Sequence, residues 1–338
     1  MEHGKAGWWA LARALGARKV IAHRYGIEPI VLMYHRFSRE PSQGRVSLEQ
    51  LEAQLRFLVE NTQVISLQEL SRGLREGRQW SRPATVITID DGHYDLYEVA
   101  FPLLRQYGLP ATVFVTTGFI DGCMWYWPDK LRYLLAQHRP NRASVVLEGR
   151  ERVFDLQTDE QCEYAWNELA DHVFQLAPAA AEAFLADLAA RLRVILPVPA
   201  PTEFRSVSWD QIREMSGQGI EIGAHGVSHE RLTAISDEAA RFEIVESKRV
   251  LESRIQIDVR SFAYPFGGVE DQNAFVRGIV RGAGFDAGCV SFSDTNLYSD
   301  PYALRRFGVG PCYWDFVKAA DGLKYANSLR MAAKAKAV

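Results

Sequence analysis

Two stretches of the sequence carry residue types that could do hydrolytic chemistry together. Thr85-Val-Ile-Thr-Ile-Asp-Asp-Gly92 ends an uncharged, β-branched run in two adjacent carboxylates, Asp90 and Asp91. Ile222-Gly-Ala-His-Gly-Val-Ser-His229 places His225 and His229 four residues apart. Neighbouring acids repel, so something must separate their roles, and a metal ion bound to one of them would do so. A zinc-like catalytic centre needs three protein ligands and an open position for water. His225 and His229, aimed at one point by a helical turn or a compact loop, and Asp91 would make up the three. Asp90 is then free to act as general base toward a water acidified by the ion, an arrangement suited to amide or ester hydrolysis. Singly, such motifs are weak: an Asp-Asp-Gly is more often a surface turn, and HxxxH arises by chance. Together they are sharper, because the acids and the first histidine end uncharged runs.

Those runs read as strands buried on both faces, the pattern of a parallel sheet. Strands are expected at Pro29–His35, Thr62–Ile65, Thr85–Asp90, Ala111–Thr116, Ile220–Ala224, Val259–Tyr264, Phe285–Val290 and Tyr302–Val309. Between them lie helical spacings: Leu48 to Leu58 behind a Ser47/Gln50 capping box, Leu67–Leu74, Leu96 to Tyr107 closed by Gly108, Ser208 to Gly217, one capped by Ser236, and one starting at Asp271. Strands alternating with helices predict an α/β fold, a (β/α) barrel or a distorted relative. From 122 to 203 the rhythm changes to a helix, a hairpin about Gly149-Arg150 and two further helices, ending at Pro197-Val-Pro-Ala-Pro201; this block is expected to be an insertion or cap. The expected organisation is an N-terminal helical segment (1–28), a barrel (29–121 and 204–312), the insertion (122–203), and a C-terminal helix with a basic tail (313–338).

The 338 residues have 47% apolar and 24% charged side chains, ordinary globular values. A net charge of −3 gives no electrostatic case for nucleic acid. Cys123, Cys162, Cys289 and Cys312 form no CxxC pair and suit free thiols in a reducing compartment. No run of about 18 apolar residues is present to span a membrane. Trp8-Trp-Ala-Leu-Ala-Arg-Ala-Leu15 lacks the pattern of a cleaved signal; it is expected to pack on the body, with interfacial membrane contact as the alternative. The expected location is cytoplasmic, with a peripheral position at the inner membrane as the alternative.

Ile89-Asp-Asp-Gly92, His225-Gly-Val-Ser-His229 and Ser261-Phe-Ala-Tyr-Pro-Phe-Gly267 resemble, in order and spacing, the first three motifs of the polysaccharide deacetylase family (NodB homology, carbohydrate esterase family 4). Val99-Ala-Phe-Pro-Leu-Leu104, Pro110-Ala-Thr-Val-Phe-Val115 and Ser247-Lys248 add to the resemblance, which covers about 29–121 and 204–310. It implies a distorted (β/α) barrel and removal of an acetyl group from an N-acetylated sugar. Asp90 would be the base, and Asp91, His225 and His229 the ligands of one divalent ion, zinc above others. The N–H of Phe266 would stabilise the oxyanion; Pro265 and Gly267 alone would also suffice for an ordinary turn.

Two departures stand out. The arginine usual two residues before the motif proline is Ala263 here; Arg305 or Arg306 would substitute, unless they form a solvent-facing salt bridge. No histidine follows His229, so the general acid would be His35, as in the permuted branch that includes bacterial exopolysaccharide deacetylases. Tyr264, His93 and Arg305 are candidate substrate contacts. Trp125 and Trp127 are too, since aromatic faces stack on sugar rings, with core packing of the insertion as the alternative. The implied substrate is an N-acetylated amino sugar in a polysaccharide, oligosaccharide or lipid-linked precursor. The rival expectations are a deformylase or amidase on a non-sugar substrate, and a catalytically silent carbohydrate-binding barrel.

Overall fold

The computed structural model describes residues 29–137, 141–147, 149–293, 298 and 300–323. The expected N-terminal helix and basic tail lie outside them. Eight strands form one parallel sheet in the order β11–β10–β9–β6–β5–β1–β12, with β4 paired to the start of β5. In chain order these are β1 (Ile30–Tyr34), β4 (Gln63–Val64), β5 (Ala84–Ile89), β6 (Thr112–Val115), β9 (Glu221–Ala224), β10 (Ser261–Ala263), β11 (Ala287–Cys289) and β12 (Phe307–Gly308). Two minor pairs complete the set: β2 (Phe37–Ser38) with β3 (Val46–Ser47), and the hairpin β7 (Arg142–Leu147) with β8 (Arg150–Asp155).

The sheet curls into a half-barrel with helices packed around it, the distorted (β/α) barrel expected from the sequence. Every residue of β1, β5 and β6 is buried, which is why their sequences are continuous apolar or β-branched runs. Register then decides what meets at the C-terminal edge. Tyr34 pairs with Ile89, so His35 and Asp90 emerge side by side; Val115 pairs with Ala224, so Thr116 and His225 do the same. Close approach matters at Gly223, where a Cβ would fall 2.4 Å from the Phe114 ring.

Three elements differ from expectation. Tyr302–Val309 is not one strand. Its first part bridges to β11 through Leu304 and Cys289, and its second pairs with β1 as β12. One extended segment thus joins the two edges of the sheet. Asp271 does not open a helix: Asn273 caps Ala274–Gly282, while Asp271 is buried and accepts from the Gly268 N–H at 2.8 Å. The expected helix from Leu96 begins as a π-helical turn, Leu96–Ala100, before Phe101–Tyr107. Pro102 has no N–H to give, and the Phe101 N–H reaches back five residues to the Leu96 carbonyl.

The block after 122 holds helix Trp127–Gln137, the β7–β8 hairpin, and helices Asp159–Gln175 and Pro178–Leu192. Leu131, Leu134, Leu169, Leu185 and Leu188 centre a core of its own. The C-terminal helix Tyr313–Ala320 lays Phe316 edge-on to Phe57 of helix Leu48–Asn61. No helix among the described residues is long and apolar enough to cross a membrane.

Gly223→Ala should force β9 or Phe114 to move and cost about 1–3 kcal/mol, as overpacking does. Urea denaturation beside the wild type measures it; an unchanged midpoint would show that the strands have room to spare.

Candidate active site

Asp90 follows β5 directly and its N–H donates to the Tyr34 carbonyl at 2.9 Å. Asp91 and Gly92 then take left-handed φ values of 77° and 84°, which turns the chain sharply and sends the two carboxylates different ways. Gly92 suits such a turn; Asp91 pays for it in strain. Asp90 is buried and gripped on both oxygens by Arg306, Nη1–Oδ1 and Nη2–Oδ2 each 2.7 Å. Arg306 is buried too. Its Nε donates to the Val290 carbonyl and Nη1 also to Thr88 Oγ1. Burial pushes the Asp90 carboxyl up, but the Arg306 guanidinium, with His225 and His35, outweighs it and holds the group below the usual carboxylate range.

Arg306 therefore occupies the electrostatic role left open at Ala263. Arg305 does not: its Nη1 donates to the Ala303 carbonyl at 2.6 Å, and its guanidinium lies over the Phe292 ring. Successive residues of an extended segment face opposite ways, so only one of the two arginines can reach Asp90.

His225 continues β9, its N–H bonded to the Val115 carbonyl. Its Nδ1 lies 2.8 Å from the Ala263 carbonyl and so carries the proton, leaving Nε2 free as a ligand. Residues 226–229 form a compact loop wrapped on Glu243, a residue that sequence reasoning missed. Its carboxylate accepts from the N–H groups of Val227 and Ser228 and from Ser228 Oγ, at 2.7–2.9 Å. At Gly226, φ 80°, a Cβ would stand 2.8 Å from Glu243 Oε2. The loop delivers His229, φ 59°, between the rings of Tyr126 and Phe266.

Asp91 Oδ1 lies 3.5 Å from His225 Nε2 and 3.6 Å from His229 Nε2. Ligands bonded at about 2.0–2.1 Å to a tetrahedral ion stand about 3.3 Å apart, so the three fit one zinc-sized ion after small adjustments. The donor set, two imidazoles and a carboxylate, suits a borderline divalent metal. Burial raises and the His225 hydrogen bond lowers the Asp91 carboxyl, which ends below its ordinary range. Burial disfavours a charged His225, but its bond to Asp91 prevails and its pKa rises. His229, buried and beside His225, is pushed down to about 3 and stays neutral, the form that binds metal.

His35 stands at the mouth, its side chain 45% exposed and Nε2 3.9 Å from Asp90 Oδ2. Phe266 has φ 59°, and among the described residues its N–H has no hydrogen-bond partner. Its ring packs on His229, Trp127 and Phe174. Trp127 is half-buried beside the site, whereas Trp125 is nearly enclosed against Tyr133 and Phe204. Tyr264 is not a substrate contact: it is 1% exposed and its hydroxyl donates to the Tyr302 carbonyl behind the sheet. His93 is buried as well and faces no substrate. It lies behind Asp91, Nδ1 3.8 Å from Oδ2, with Nε2 2.7 Å from Asp129. Arg36 holds Asp129 from the other side and donates to Asp95. Tyr126 donates its hydroxyl to the Asp91 carbonyl at 2.8 Å.

A buried Asp–Arg pair thus lies beside an Asp-His-His triangle that could hold a metal ion, at the C-terminal edge of a curled parallel sheet. The polysaccharide deacetylase family model matches residues 78–146 and 164–288, more than half of the chain, and the chain belongs to that family. Over 86 residues it is 37% identical to YxkH of Bacillus subtilis (strain 168); this match spans 25% of the chain and 30% of YxkH. Its fold is similar to that of the Streptococcus pyogenes deacetylase PplD, solved in complex with acetate (TM-score 0.57, 17% identity, 86% of this chain and 97% of that one). It is similar also to that of IcaB from Ammonifex degensii (TM-score 0.57, 19% identity, 88% and 97%).

Loaded protein should carry about one zinc per chain, lost in His229→Ala and Asp91→Asn. Glu243→Ala should weaken zinc binding about 10–100-fold by loosening the loop that carries His229. Competition with a fluorescent chelator reads both, and unchanged affinity in Glu243→Ala would make the carboxylate a mere loop filler.

Proposed function

We propose that this protein is a divalent-metal-dependent hydrolase that removes the N-acetyl group from an amino sugar in a polysaccharide, oligosaccharide or lipid-linked saccharide. The observation that carries this reading is the Asp90–Arg306 pair placed beside the Asp91, His225 and His229 triangle. Family membership supports the saccharide substrate.

When bound, the ion would supply Lewis acidity and a water acidified toward neutrality. Asp91, His225 and His229 would hold it. Asp90, kept ionised by Arg306, takes the proton of the attacking water, each of its oxygens retaining a lone pair outside the arginine fork. The Phe266 N–H, on its left-handed turn, donates to the oxyanion as the acetyl carbonyl becomes tetrahedral. His35 protonates the departing amine; its exposure lets it recover a proton from solvent.

Acetate release from a panel of N-acetylated amino sugars and their oligomers tests the reaction. Asp90→Asn and His35→Ala should each lower kcat by about 10²–10⁴, with zinc retained in His35→Ala. Full turnover by His35→Ala would remove its acid role, and no acetate from any zinc-loaded panel reaction would overturn the reading.

The pH dependence has a defined sign. Burial raises the Asp90 carboxyl and Arg306 lowers it, so Arg306→Met leaves burial less opposed. The base then ionises only at higher pH. The acid limb of kcat/KM should shift upward in Arg306→Met, and an unmoved limb would show that it reports another group.

A further inference from the structure

The insertion reaches the site twice, through Trp125–Lys130 and through the elbow between its helices Asp159–Gln175 and Pro178–Leu192. Arg231, two residues past His229, tethers that elbow: Nη1 donates to the Phe174 carbonyl at 2.9 Å, and its guanidinium lies over the Phe174 ring. Asp271 holds the same arginine through Nε at 2.9 Å. Between elbow and barrel lies a cavity of about 160 Å³. A closed cavity of about that volume is known to hold one benzene ring, so this open one has room for a sugar ring with its substituents directed outward.

Its walls are half-buried aromatic faces. Trp127 and Phe266 stand nearly parallel, 24° apart with centroids at 6.4 Å, and Phe174 meets Phe266 edge-on at 5.3 Å. Lys130 and Glu182, ion-paired at 2.7 Å, and Glu230 also line it. A pyranose ring has this dual character, with C–H faces for aromatic rings and edge hydroxyls for charged groups. A hydrocarbon chain would offer no hydrogen bond to Glu230 or to the rim of the Lys130–Glu182 pair. The cavity shares His229 and Phe266 with the metal site, while Asp90 and His35 do not line it. Its occupant therefore lies beside the reacting amide, not on it.

We infer that the elbow of the insertion, with Phe174, Trp127 and Glu182, forms a pocket for a second pyranose ring next to the N-acetylated residue. The inference rests on the saccharide reading above. It makes the smallest well-recognised ligand a disaccharide.

The test is calorimetric titration of the zinc-loaded full chain with glucosamine and its β-1,4- and β-1,6-linked di- to tetramers, which carry no acetyl group to be removed. The wild type should bind one dimer series more tightly than the monomer. Phe174→Ala should erase about tenfold of that gain, the worth of a lost ring contact, with monomer binding and zinc content unchanged. Glu182→Gln, an exposed-rim change that leaves the elbow packed, should reduce the gain less. Equal dimer affinity in both variants and the wild type, or no binding of any oligomer, would overturn the pocket. So would a Phe174→Ala defect that follows N-acyl length, N-butyryl against N-acetyl, rather than the number of sugar rings. Oligomer binding that depends on Phe174, without acetate release by the wild type, would uphold the pocket and overturn the reaction.

Discussion

The buried pair of Asp90 and Arg306 is the constraint on which the rest depends. Taking each ion out of water costs several kcal/mol, and removing either would leave the other a buried charge without its partner. The partners lie 216 residues apart, so the fold must close before the pair can form. Closure is made by the segment that carries Arg306. It leaves β11 at Leu304, runs past Asp90, and joins β1 at Phe307. Joining the sheet edges and ionising the proposed base are thus one structural event. An arginine placed here relieves position 263 of the task, and the Ala263 carbonyl receives His225 Nδ1.

Strain is distributed with similar economy. Among the described residues, five that are not glycine have left-handed φ: Asp91, Arg193, His229, Gln256 and Phe266. Arg193 and Gln256 end helices, where this conformation is common. The other three, Asp91, His229 and Phe266, lie at the candidate site, the first two as candidate metal ligands. Each costs about 1–3 kcal/mol, and such cost persists only where the surroundings over-determine it. Those surroundings are visible here: Tyr126 on the Asp91 carbonyl, Glu243 under the His229 loop, and the Ser291 N–H on the Gly267 carbonyl beside Phe266. The pattern marks the site independently of any motif.

Much of this was legible in sequence because parallel strands announce themselves as uncharged runs, and the acids and the first histidine sit where the runs stop. The structure brings Asp90, Asp91, His225 and His229 together for that reason. What escaped has physical causes. Arg305 and Arg306 differ only by strand alternation, and a one-residue shift reverses which of them faces Asp90. Tyr264 and His93 lie within three residues of motif groups yet point into the core. Tyr302–Val309 pairs with two different neighbours, which no local pattern encodes. Glu243 hid as one acid among many on a surface helix. Its only signal is position, since it falls on the buried stripe of Ala240, Ile244, Ser247 and Leu251.

The block from 122 to 203 is joined to the barrel in a way that bears on the chemistry. It has a leucine-rich core of its own, and a second apolar cluster, Trp125 and Tyr126 against Phe119 and Phe204, joins it to the barrel. Contact is also made through polar and aromatic groups that end on the site: Asp129 on His93 behind Asp91, Arg36 reaching Asp129, and Arg231 on the Phe174 carbonyl. Such contacts are directional and fix position more than they add stability. A block that adds hydrogen bonds behind Asp91 and an aromatic face beside His229 is placed to shape what can reach those two side chains.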